Sequence, residues 1–138
     1  MRDCFIHLIE NLGSLLPFGD NRANLTVGWY NSLKEGRIMS YRYSVVINPN
    51  GTLRSEFFYK GPHAHREGDL PAVIHYRTNG TVQCEFFYKR GRIHRDGDRP
   101  ADIHYETDGS VQCEFFYKEG RQYKPKKTCN ALAITVQI

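Results

Sequence analysis

One line of text recurs through this chain at a fixed interval. GTLRSEFFYKGPHAHREGDLPAVIHYRTN, from Gly51, is followed by GTVQCEFFYKRGRIHRDGDRPADIHYETD, from Gly80, and then by GSVQCEFFYKEGRQY, from Gly109. The first two units agree at 17 of 29 positions, too many for coincidence, so most of the chain must fold as copies of one supersecondary unit. Such units bury their apolar surface only by stacking on one another. Upstream, LKEGRIMSYRYSVVINPN, from Leu33, reads as a shortened unit lacking the HRxGD insertion. The chain thus divides into an N-terminal segment 1–17, an entry repeat 28–50, repeats 51–79 and 80–108, a partial repeat 109–123, and a basic linker with a closing strand, 124–138.

Within each unit an alternating run, PAVIHY or PADIHY, meets a second one, TVQCEFFY or SVQCEFFY, across Asn79-Gly80 or Asp108-Gly109. Such steps between alternating runs are strong hairpin signals. A two-residue loop would set Ile74 opposite Glu85 and Tyr76 opposite Gln83, mixing polar and apolar groups on both faces. A three-residue loop, with Gly80 in the left-handed bulge position, pairs Tyr76 with Val82, Ile74 with Cys84 and Ala72 with Phe86, and sorts the faces. The same register gives Ile47 with Leu53, Val45 with Ser55 and Tyr43 with Phe57, then Tyr105 with Val111, Ile103 with Cys113 and Ala101 with Phe115. Leu53, Val82 and Val111, then Phe57, Phe86 and Phe115, then Tyr59, Tyr88 and Tyr117 are expected as stripes on one buried face.

A second turn, in KRG, KEG and Lys34-Glu35-Gly36, closes the other end, while Lys60-Gly61-Pro62 calls for different turn geometry. The expected fold is all-β, an elongated antiparallel meander of repeated hairpins with an N-terminal capping helix. That helix draws on Phe5, Leu8, Ile9, Leu12, Leu15 and Leu16, near helical spacing, with Asp3 as cap and Pro17 as stop. NALAITVQI reads as the closing strand, able to protect the far edge or to dock a second copy as a homodimer.

The N-terminal stretch is interrupted by Asp3, His7 and Glu10 and shows neither a signal peptide nor a transmembrane segment. Four cysteines at 4, 84, 113 and 129 lack a C-x-x-C signature. Cys84 and Cys113, in equivalent places of successive repeats, stand about two strand spacings apart, beyond disulfide reach. Their separation favours a reduced, cytoplasmic setting. The net charge of +4 is mild and interspersed, so it permits an acidic partner without requiring one.

The YKRG and YKEG turns, each followed by a paired strand and then an NG or DG turn, resemble a divergent MORN-type repeat from about Leu33 to Tyr123. The longer HRxGDxPAxIxY form resembles repeat proteins of giant viruses and some bacteria, including an antitoxin-like group. The resemblance implies structural roles for Gly36, Gly91 and Gly120 and for Gly51, Gly80 and Gly109. It also implies a binding or membrane-apposed module, and it carries over no catalytic residue.

Phe58, Phe87 and Phe116 are the most informative side chains, because alternation cannot bury both Phe86 and Phe87 against one layer. Either the HRxGD loops cover them, or they form an exposed ladder flanked by Glu56, Glu85 and Glu114. The functional expectation takes the second arrangement. Phe58, Phe87 and Phe116 then anchor a protein partner, Glu85, Glu114, Arg66 and Arg95 supply charge selectivity, and His75 and His104 lie on the same polar face. The HRxGD loops would use Arg66 and Arg95 to pair with Asp69 and Asp98 and cap the turns, or present them to phosphates or acidic side chains. Asp102 is expected opposite Glu114, two like charges that could attract a cation. No catalytic, metal or cofactor motif stands out. The expected activity is therefore non-catalytic binding of another protein, as adaptor, assembly factor or inhibitor. The alternative is a nucleic-acid or anionic-surface module using Lys60, Lys89, Arg92, Arg95 and Lys124, Lys126 and Lys127.

Overall fold

The computed structural model describes residues 23–34 and 36–124. The helix expected over 1–17 and the closing strand in NALAITVQI lie outside the described residues. Within them the chain is all-β, an antiparallel meander without barrel closure. A long hairpin of β1 (Ala23–Lys34) and β2 (Arg37–Ile47) leads into β3 (Leu53–Lys60), β4 (His63–Ala64) and β5 (Val73–Tyr76). The second unit supplies β6 (Val82–Phe86), β7 (Tyr88–Lys89), β8 (Arg92–Ile93) and β9 (Asp102–Tyr105), and the third β10 (Val111–Phe115), β11 (Tyr117–Lys118) and β12 (Arg121–Gln122). The main sheet runs β1-β2-β3-β5-β6-β9-β10, with β4 on β3; β7-β8 and β11-β12 are two-stranded extensions.

Turn chemistry sets both ends of each unit. Gly80 and Gly109 take φ 85 and 86, and the Gly80 N–H donates to the Arg77 carbonyl while the Arg77 N–H donates to that of Thr81. This is the three-residue loop expected from the sequence. At the other end Arg90-Gly91 and Glu119-Gly120 have positive φ at both central residues, the mirror-image turn that matches strand twist. In the first unit Gly61 has φ 56, and Pro62 fixes its own φ at a negative value, so that turn does differ.

The register beyond the loop departs from expectation. Tyr76 pairs with Val82, as read, but His75 then pairs with Cys84, Ile74 with Glu85 and Val73 with Phe86. A second bulge, at Gln83, shifts the strand by one residue. Arg54 and Gln112 do the same in their hairpins: Ile47 meets Leu53 but Val46 meets Ser55, and Tyr105 meets Val111 but His104 meets Cys113. A one-residue shift turns every following side chain to the other face. Ile74 and Ile103 therefore share a face with Glu56, Glu85 and Glu114, while His75 and His104 join Phe57, Phe86 and Phe115. The shift satisfies polar groups, because it brings the Tyr43 and Tyr76 hydroxyls to donate to Glu56 and the Tyr105 hydroxyl to donate to Glu85.

Each of the two full units then crosses over one face of the sheet. After the β7-β8 hairpin, the HRxGD loop passes over Phe87 and returns through Pro100 to β9. The Phe87 N–H donates to the Ala101 carbonyl at 2.8 Å, and its carbonyl accepts from His94 N–H at 2.9 Å. Phe87 packs with Ala101 and Ile103, flanked by Ile93, Tyr105 and Tyr117. We call this side the loop face and the opposite one the ladder face.

Candidate functional site

The nine residues expected to make one binding surface are divided between the two faces. On the loop face, Phe87 and Phe116 are 5% and 6% exposed, so the exposed phenylalanine ladder does not form; Phe58 is half-buried. Their covers are specific. The Arg66 guanidinium lies over the Phe58 ring at 3.7 Å and the Arg95 guanidinium over Phe87 at 3.7 Å, while Lys124 stands over Phe116 at 5.3 Å. A cation stacked on a half-desolvated ring is held by the ring's quadrupole as well as by packing. Both arginines also donate to the proline carbonyl that ends their own loop, Arg66 to Pro71 and Arg95 to Pro100. Burial lowers the Arg66 pKa, an effect opposed by Glu56.

The charge pairing of the HRxGD loops runs between repeats. Asp69 accepts two hydrogen bonds from Arg95 of the next unit, at 2.9 and 3.1 Å, and also pairs with Arg99. One unit on, Asp98 pairs with Lys124 and accepts from the Tyr123 hydroxyl at 3.1 Å. The Arg95 hydrogen bonds hold the Asp69 carboxyl below its usual pKa. Arg66 and Arg95 thus each hold a phenylalanine ring and the proline carbonyl of their own loop, and Arg95 also ties its loop to the preceding repeat.

On the ladder face five rings alternate in edge-to-face contact, Phe57, His75, Phe86, His104 and Phe115, with centroids 5.7 to 6.1 Å apart. They zigzag between two rows of cross-strand partners. Beneath His75, Ser55 is buried and its Oγ shares a 2.7 Å hydrogen bond with Nδ1. Cys84 and Cys113 occupy the equivalent buried places. Asp102 lies across from Phe86 and Phe115, not Glu114, and its Oδ1 is 2.9 Å from His104 Nε2. The like-charge pair expected of Asp102 and Glu114 is therefore absent, since the bulge at Gln112 puts them on opposite faces. Burial raises the Asp102 pKa, and His104 opposes the shift. His104 keeps 35% of its side chain exposed.

Burial, with the charge of Arg54, lowers the His75 pKa below its ordinary 6.5. A histidine whose folded pKa is depressed contributes stability that is present above the unfolded value and lost as pH falls through the folded one. Thermal stability is expected to fall as pH drops below about 6.5, and His75→Phe is expected to remove part of that fall. An unchanged slope in melts taken between pH 7 and 5 would contradict it.

Among the described residues no group of three or more His, Cys, Asp or Glu could hold a metal ion, and no helix is long and apolar enough to cross a membrane. Cys84 is a buried free thiol whose pKa burial pushes up to about 11, which leaves it inert as a nucleophile at neutral pH. Cys113 is disulfide-bonded. No protein-family model matches the chain, and no curated protein or solved structure does either.

Proposed function

We propose that the chain is a non-catalytic repeat module that binds another protein, as adaptor, assembly factor or inhibitor, through its ladder face. The carrying observation is the column of alternating phenyl and imidazole rings set across five strands. Aromatic side chains held rigid by a sheet offer contact area at low cost in conformational entropy, and such groups dominate protein interfaces. The resemblance to MORN-type repeats implies a binding or membrane-apposed module, of which protein binding is one form. The nucleic-acid alternative is weakened by the state of its cations. Lys60 pairs with Glu67, Lys89 with Asp96, Arg95 with Asp69 and Lys124 with Asp98, and each pair would have to be broken or shared to receive a phosphate.

The test compares the wild-type chain with Phe86→Ala/His104→Ala as bait in nuclease-treated source lysate at moderate salt. The expected result is a stoichiometric protein partner recovered more than about tenfold less well by a variant that still melts cooperatively, as loss of an interface anchor implies. Equal recovery by the variant would overturn the ladder-face assignment. Recovery of nucleic acid alone, without nuclease and with steep salt dependence, would give the alternative its support.

A further inference from the structure

Two equivalent places in successive repeats differ at three positions, one of them a reversed charge, and a cavity opens at the earlier place. In the later of the two, His94 is met by the turn of the following unit. Its Nδ1 accepts from the Glu119 N–H at 3.0 Å, and the Glu119 carboxylate lies 3.3 Å from that nitrogen and 3.6 Å from Arg92. On its other side His94 Nε2 is 3.0 Å from Asp96, which also accepts from Lys89 at 2.7 Å. The ring is enclosed by partners on both sides.

One unit earlier the same frame recurs with His65 for His94, Lys60 for Lys89, Glu67 for Asp96, His63 for Arg92, and Arg90 for Glu119. Glu67 sits 2.7 Å from Lys60 and 3.2 Å from His65 Nε2, as its counterpart does. The turn geometry is kept too, with φ 52 at Arg90 and 48 at Glu119. What is missing is the carboxylate from the following turn. The His65 Nε2 has only the Glu67 carboxylate beside it, and its Nδ1 has no hydrogen-bond partner among the described residues, although the side chain is only 11% exposed. In front of it opens a cavity of about 420 Å³ lined by Met39, Lys60, His63, His65, Glu67, Lys89 and Arg90. The later site is complete with its own carboxylate; the earlier one has Arg90 at the equivalent turn position and no carboxylate from that turn.

We propose that this cavity binds a carboxylate ligand, which takes the place that the Glu119 carboxylate fills one repeat on. Arg90 would meet the anion through charge-assisted hydrogen bonds, with His63 and His65 at its flank, while Lys60 and Lys89 stay paired with Glu67 and Asp96. The carboxylate can belong to a free small diacid or to an acidic side chain. The inference uses neither the ladder face nor the protein-binding reading, so either can fail alone.

The test is a titration with glutarate, with a short blocked peptide carrying one glutamate, and with inorganic phosphate, read by NMR at the His65 and His94 ring protons. Glutarate or the peptide is expected to shift the His65 ring protons saturably in the wild type. Arg90→Glu installs the internal carboxylate and is expected to abolish the shift; the glutamate already tolerated at the equivalent turn position protects the fold, which a melt verifies. Glu119→Arg is expected to open a second site that reports at His94. Saturation by the peptide at lower concentration assigns an acidic side chain as the natural ligand, and tighter glutarate assigns a free acid. Absence of saturable shift, persistence of binding in Arg90→Glu, or binding of phosphate without either carboxylate would overturn the proposal.

Discussion

Phe87→Ala is expected to destabilise the fold by about 3–5 kcal/mol, the usual range for emptying a buried phenylalanine site. The ring is 5% exposed and packs on Ala101 and Ile103. Its other side carries the Arg95 guanidinium, whose two hydrogen bonds to Asp69 join one repeat to the next. Removing the ring therefore opens a cavity and also takes the platform from the inter-repeat clamp. Phe58→Ala, at a half-buried site, is expected to cost less. The measurement is urea unfolding of both variants against the wild type, with the slope compared to detect loss of cooperativity between repeats. A loss below about 1 kcal/mol for Phe87→Ala would show the ring to be a surface residue after all.

The repeat, the all-β meander and the glycine turns could be read from the text because each is carried by local chemistry, namely a fixed period, alternation and Asn-Gly or Asp-Gly steps. The faces could not. Bulges at Arg54, Gln83 and Gln112 leave no local signature, and one residue of shift reverses all that follows. Sorting residues by polarity then chose the wrong register, because the loop face keeps its glutamates by pairing them with tyrosine hydroxyls rather than by exposing them. A signal for the covering loops was present in the recurrence of a cation eight residues after the second phenylalanine, at Phe58 and Arg66, Phe87 and Arg95, and Phe116 and Lys124. The clamp from Asp69 to Arg95 was partly legible: a charge pair in the HRxGD loop was expected, but its partner comes from the next copy, which a reading of one unit does not reveal. Among the site residues, His75 and His104 form a ladder with Phe57, Phe86 and Phe115, which sorting by polarity places on the opposite face.

Glu56→Ala is expected to cost about 2–6 kcal/mol, because it strands the buried Tyr43 phenol and the half-buried Tyr76 phenol at once and each unsatisfied donor costs about 1–3 kcal/mol. Glu56 accepts from both Tyr43 and Tyr76, whereas Glu85 accepts from Tyr105. Glu85→Ala is accordingly expected to cost about half as much, and Glu56→Gln, which keeps an acceptor oxygen for one phenol, should fall between Glu56→Ala and the wild type. A second measurement separates hydrogen bonding from lost packing. Burial first, and Glu56 second, raise the Tyr43 and Tyr76 pKa values above 10.0. A phenol whose folded pKa is raised contributes stability that is present below the unfolded value and lost as pH rises through the folded one. The wild type is therefore expected to lose stability on the alkaline side, above about pH 10. Glu56→Ala is expected to be less stable at pH 7 and less sensitive to alkali, because the carboxylate that repels each phenolate has gone while burial remains. Equal alkaline sensitivity in the two proteins would mean that burial alone holds the phenols neutral. Glu56 would then be a residue tolerated on the loop face rather than the reason for the register found there.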